Sequence, residues 1–239
     1  MIKLNVQWFL ALAFVAVAFA MLFFSPFGPI SSKFIPFNPM GWAGILVYLA
    51  MVICYSQKYE ASKDNFWLIL TLVFFPVLIS DLYFFSIPST IGNGMTEWMG
   101  VQVAVCFICF AVFSRVKALK YTNLSMLLLL PVAALLYLFP QLGLSTFLVA
   151  LSFIFVGVIA VTLSYYAYLR KEYILVIGVI LNFLVSMPIP NLYIITGIIP
   201  FGWTQPLMAV LTDRIAIFGR ILMALPLPKI MFQKTFKPK

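Results

Sequence analysis

The sequence predicts an all-α fold, a polytopic membrane helix bundle of eight transmembrane helices with both termini cytoplasmic. Three observations carry that expectation. The chain of 239 residues is 64% hydrophobic and only 9% charged, with a mean hydropathy of +1.12, whereas soluble domains are roughly 45–50% apolar and about 25% charged. Its apolar residues collect in runs of the ~17–25 residues that a helical crossing needs. Its lysines and arginines cluster at the ends of alternate runs, as they do where positive charge holds loops in the cytoplasm. No polar linker interrupts the runs, so residues 1–239 read as a single transmembrane domain closing on a basic juxtamembrane tail over 220–239.

The first run, 6–24 (VQWFLALAFVAVAFAMLFF), stays apolar past the small residues at 18–20 and so reads as an uncleaved span rather than a signal peptide. The connection that follows carries Pro26, Pro29, Pro36 and Pro39 and cannot be regular helix. Span 2 covers 40–56 and ends in the polar QKYEASKDN. Span 3 covers 65–87 and holds both Pro76 and Asp81. A loop, PSTIGNGMTE, leads to span 4 at 97–114; span 5 follows at 122–139 and span 6 at 145–168. Span 7, at 173–199, is interrupted by MPIPN, and span 8, at 204–225, carries Asp213, Arg214 and Arg220, so that it either crosses or lies partly in the interface.

Lys3, Lys58, Lys63, Arg115, Lys117, Lys120, Arg170, Lys171 and the C-terminal lysines then fall on one side, with Lys33 opposite. That pattern keeps both termini cytoplasmic, and the protein is expected to be integral to a bacterial or archaeal cytoplasmic (inner) membrane. VLISDL at 77–82 and FLVSMP at 183–188 align on Ser80 and Ser186, four spans apart in the same orientation, the pattern of a parallel duplication.

Composition also removes functions. Without a single histidine the chain has no imidazole metal site, no His-based acid–base pair and no histidine haem ligand. Cys106 and Cys109 form a CxxC inside VQVAVCFICFAVF, where the two thiols share one face of an apolar helix and read as packing residues. No cofactor and no metal are expected. The net charge of +9 sits at span ends, so it speaks for membrane lipids as partners, with no nucleic acid.

Chemistry, if any, centres on Asp81, because a carboxylate inside an apolar span is costly unless paired or functional. Span 3 runs outward, which places Asp81 in the outer half of the membrane with Ser80, Tyr83 and Gln102 nearby, Glu97 opening span 4, and Asn191 beside the break in span 7. Backbone freed at that break must face protein or a wet cavity. A polar cavity opening outward follows, with Asp81, Glu97 and Asp213 as the candidate carboxylates. The competing reading is an interhelical ion pair of Asp81 with Arg214 or Arg220.

Set in order, Asn38–Pro39, the segment LVFFPVLISDLYFF around Asp81, and GVILNFLVSMPIPN at 178–191 resemble the YhhN-like (lysoplasmalogenase) membrane family, whose members carry a Lys-Pro, a Gly-Asp and a Ser-Asp at such places. Ser80 stands here for the glycine, and Met187 occupies the second acidic position. The resemblance implies an eight-span bundle that binds or hydrolyses a lipid-like amphiphile, with Asp81 as general base and Glu97 or Asp213 as its partner in vinyl-ether or ester hydrolysis. Two alternatives stand beside it: a non-catalytic membrane subunit or receptor with protein partners in a larger complex, and a small-solute transporter.

Overall fold

Apolar runs satisfy their backbone N–H and C=O groups within themselves by winding into helices, and seven helices make up nearly all of the described residues. The structure is a computed structural model that describes residues 6–24, 30–31, 36–37, 39–86, 93–116, 144–186 and 205–224. The helices are α1 (Val6–Phe24), α2 (Pro39–Ser62), α3 (Asn65–Ser86), α4 (Asn93–Phe113), α5 (Leu144–Leu169), α6 (Tyr173–Val179) and α7 (Gln205–Ala224). Helix α6 continues without interruption as a π-helix over Ile180–Val185. Between α1 and α2, two short strands, Ile30–Ser31 and Pro36–Phe37, pair antiparallel with Ile30 opposite Phe37. The described residues of the connection, Ile30–Ser31 and Pro36–Phe37, are thus extended.

Sequence chemistry sets the ends. Helix α2 opens on Pro39, whose missing N–H is no loss in a first turn. It runs past the apolar run through QKYEAS to Ser62, because those residues favour helix once one is nucleated. Lys63 then takes a left-handed conformation (φ 55°) and donates its N–H to the Tyr59 carbonyl at 2.7 Å, closing α2. Asp64 starts α3 by accepting the Phe66 N–H at 3.0 Å.

The α5–α6 turn repeats the device. Lys171 (φ 60°) donates to Tyr168 O at 2.9 Å and Glu172 to Ala167 O at 3.0 Å, a Schellman closure. Arg170 pairs with Asp64 and lies over the Phe66 ring, which stitches the two turns together. Both partners are about a third or more exposed (43% and 32%), so the bridge is worth at most about 1 kcal/mol.

Consecutive helices pack side by side from α1 through to α7, and α7 closes the ring against α2 and α1. In the expected duplication α2–α3 corresponds to α5–α6, and the α4–α5 contact has its counterpart in α7–α2. Helix α3 carries Pro76 inside it, and α6 runs into the π-turn. The core along the α2–α3 seam is aromatic: Tyr48 stacks on Phe74 (5.9 Å), and Tyr55 packs on Phe74 and Trp67 (6.0 and 5.5 Å).

The sequence expectation of eight spans is met only as an all-α bundle. Span 5 (122–139) and the MPIPN break lie outside the described residues, which hold seven helices. Among those residues one helix segment, Asn65–Tyr83, is long and apolar enough to cross a membrane, while Phe9–Leu22, Gly100–Phe113, Ile154–Leu169 and Tyr173–Val185 are shorter apolar stretches. Two boundaries also differ. Helix α4 begins at Asn93, so part of the polar stretch read as loop is its first turn. Helix α7 runs on to Ala224, so Arg220 belongs to a packed helix and not to the basic tail.

Candidate functional site

Three glycines let the backbones come close enough to build the site. A Cβ on Gly178 would lie 2.6 Å from the Gly219 carbonyl oxygen, and one on Gly219 would lie 2.7 Å from the Asn182 nitrogen. Helices α6 and α7 therefore cross glycine on glycine, with α7 resting against the π-turn. Inside that turn the Ser186 N–H reaches back five residues to Leu181 O (3.1 Å), and the Ser186 hydroxyl donates to the Asn182 carbonyl. The wide turn rotates Asn182 into the bundle, where it is fully buried. Gly44 on α2 supplies the third opening, because a Cβ there would overlap the Arg220 guanidinium.

Arg220 occupies that space. Helical side chains tilt toward the N-terminus of their helix, so Arg220 reaches from the last turns of α7 into the bundle. Its Nη1 donates to Asp81 Oδ2 at 3.1 Å, and its Nε donates to Asn182 Oδ1 at 3.0 Å. Asn182 Nδ2 donates in turn to the Tyr48 hydroxyl at 3.0 Å. The guanidinium also lies over the Tyr48 ring, 4.3 Å from its centroid. Side chains from α3, α7, α6 and α2 are joined in one charge-assisted network. The side chains of Arg220 and Asp81 are only 13% and 14% exposed, so the charges are shielded from solvent and depend on one another.

Beside the pair lies a cavity of about 40 Å³, lined by polar Ser80, Asp81, Gln102, Tyr48 and Arg220 and by apolar groups that include Val77, Cys106 and Phe183. Gln102 Oε1 accepts the Ser152 hydroxyl at 2.7 Å. Ser80 is 2% exposed, and its hydroxyl has no hydrogen-bond partner among the described residues.

The expected residues therefore separate. Asp81 and Ser80 are central, and of the two arginine candidates it is Arg220 that holds Asp81. Asp213 is exposed on α7 and interacts electrostatically with Arg220 rather than with Asp81. Arg214 is half-buried on the same helix, and Tyr83 is exposed on α3. Glu97 falls in the first turns of α4; its side chain and the whole of Asn191 lie outside the described residues. Cys106 and Cys109 are buried free thiols, as packing residues should be. No group of three or more Cys, Asp or Glu stands together among the described residues.

Sequence reasoning missed Tyr48 and Asn182. An asparagine in the apolar run ILNFLV was a usable signal, since a lone amide there needs partners from other helices. Tyr48 carried no signal among so many aromatics. Comparison with protein-family models, with curated proteins and with solved structures finds no match to this chain.

Proposed function

We propose that this chain is a multi-pass membrane protein whose bundle binds the polar end of an amphiphile beside the Asp81–Arg220 pair. The observation that carries the reading is the pair itself, facing a cavity with an unsatisfied Ser80 hydroxyl. A membrane setting is supported by large apolar side chains exposed on five of the seven described helices: Phe9, Phe75, Phe107, Val161 and Ile177 are each more than half exposed, at 61, 51, 52, 58 and 51%. Lipid covers such a surface, whereas water would penalise it.

Binding without hydrolysis is the better-supported form of the resemblance to the YhhN-like family. Asp81 is neutralised by Arg220, and Asp213, the other candidate carboxylate whose side chain is described, is exposed. A divided acid and base role requires two such groups near the reacting bond. Transport is less favoured, because the Tyr48–Phe74–Tyr55–Trp67 stack fills the seam between the site and the α2–α3 turn.

The test is the composition of the purified protein. Wild type isolated in mild detergent should retain an amphiphile in defined stoichiometry by mass spectrometry of its extract. Cys106→Leu, which fills the cavity, should lose it while keeping a helical circular-dichroism spectrum. Identical extracts from both proteins would refute the reading. Purified protein should also leave a 1-alkenyl lysolipid intact; turnover that Asp81→Asn abolishes would restore the hydrolase.

A further inference from the structure

The cavity restricts the kind of polar end it can accept in two independent ways, charge and hydrogen bonding. Its volume of about 40 Å³ is ample for a small polar group. Charge is the first restriction. Asp81 and Arg220 cancel, and the remaining polar lining from Ser80, Gln102 and Tyr48 is neutral. An ionic group added to this site would be buried without a counter-ion, among the costliest arrangements in a protein interior. The second restriction is hydrogen bonding. The buried Ser80 hydroxyl offers a proton and lone pairs with no described partner. Gln102 has its Oε1 engaged by Ser152, which leaves its NH2 as a donor. A group that both donates and accepts satisfies the two together.

We infer that the site selects an uncharged, single-hydroxyl head group on an apolar body, of the long-chain primary alcohol type, with Ser80 as the specificity-determining contact. This rests on the binding reading above. Water offers the same hydroxyl chemistry without the apolar body, and the experiment separates the two.

The full chain, purified in lipid nanodiscs, is titrated with four ligands of one chain length: tetradecanol, tetradecanoate, tetradecyltrimethylammonium and tetradecylphosphocholine. Binding is read by native mass spectrometry. Tetradecanol should bind at least tenfold more tightly than the three charged ligands, and Ser80→Ala should weaken it roughly three- to tenfold, the loss of one buried hydrogen bond. The same substitution should leave any weak binding of tetradecyltrimethylammonium, whose head group forms no hydrogen bond, unchanged. Charged ligands that bind as well as the alcohol, or an alcohol indifferent to Ser80→Ala, would overturn the selectivity and leave amphiphile binding standing. No binding by any of the four would mean that the cavity is merely hydrated, and both readings would fall.

Discussion

Arg220 carries two jobs that one residue rarely combines: it neutralises Asp81, and through its Nε and its face it fixes Asn182 and Tyr48. Replacing it by methionine strands a buried carboxylate, and such losses cost about 3–5 kcal/mol. Arg220→Met should therefore lower the unfolding midpoint in detergent far more than Arg214→Met. Equal shifts would contradict the assignment. Gly44→Ala tests the geometry more gently, since its methyl would overlap only the far end of the arginine side chain. It should displace the guanidinium from Asp81 and destabilise by about 1–3 kcal/mol, as overpacking does. Asp81 was legible in the sequence because a carboxylate in an apolar run stands out. Its partner was legible only as one of two arginines, since choosing between them depends on how α7 is rotated, and helix rotation is set by contacts such as Gly178 against Gly219.

The paired turns at the α2–α3 and α5–α6 junctions give the element scale its own predictions. Each uses a lysine in the left-handed region where glycine is more usual. Lys63→Gly and Lys171→Gly should each be neutral or slightly stabilising in thermal unfolding, whereas valine at either position should destabilise. At the same end Lys58, beyond the apolar part of α2, places its ammonium 3.1 Å from the centroid of the Trp67 ring. Burial pushes its pKa down from 10.5 to about 8, against the opposing pull of Glu172 and Asp64. The folded value lies below the unfolded one, so between about pH 8 and 10.5 the unfolded chain holds a proton that the folded chain has released. Stability attributable to Lys58 therefore rises with pH across that window. Unfolding midpoints measured over the window should climb more steeply for wild type than for Lys58→Met, and parallel curves would reject the buried amine. Helix positions were readable from apolar runs and prolines. The π-turn was not, because nothing in ILNFLV distinguishes it from ordinary helix until Gly219 of α7 packs against it.

At the scale of the molecule the bundle is held by closure. Helix α7 returns to α2 and α1, and the Asp81–Arg220–Asn182–Tyr48 network spans the ring it completes. The all-α class followed from composition, whereas the neighbour order is seen only in the packed helices. Closure by α7 was hidden, because its charged residues looked interfacial when their partners on other helices were unknown. The most direct test is a double-mutant cycle on the closing contact: wild type, Asp81→Asn, Arg220→Gln and the double variant, each unfolded in the same detergent. The account predicts that the double variant is more stable than the sum of the single losses by about 2–3 kcal/mol, at the upper end for contacting residues. Additive losses would show that Asp81 and Arg220 do not meet, and would contradict the account at its centre.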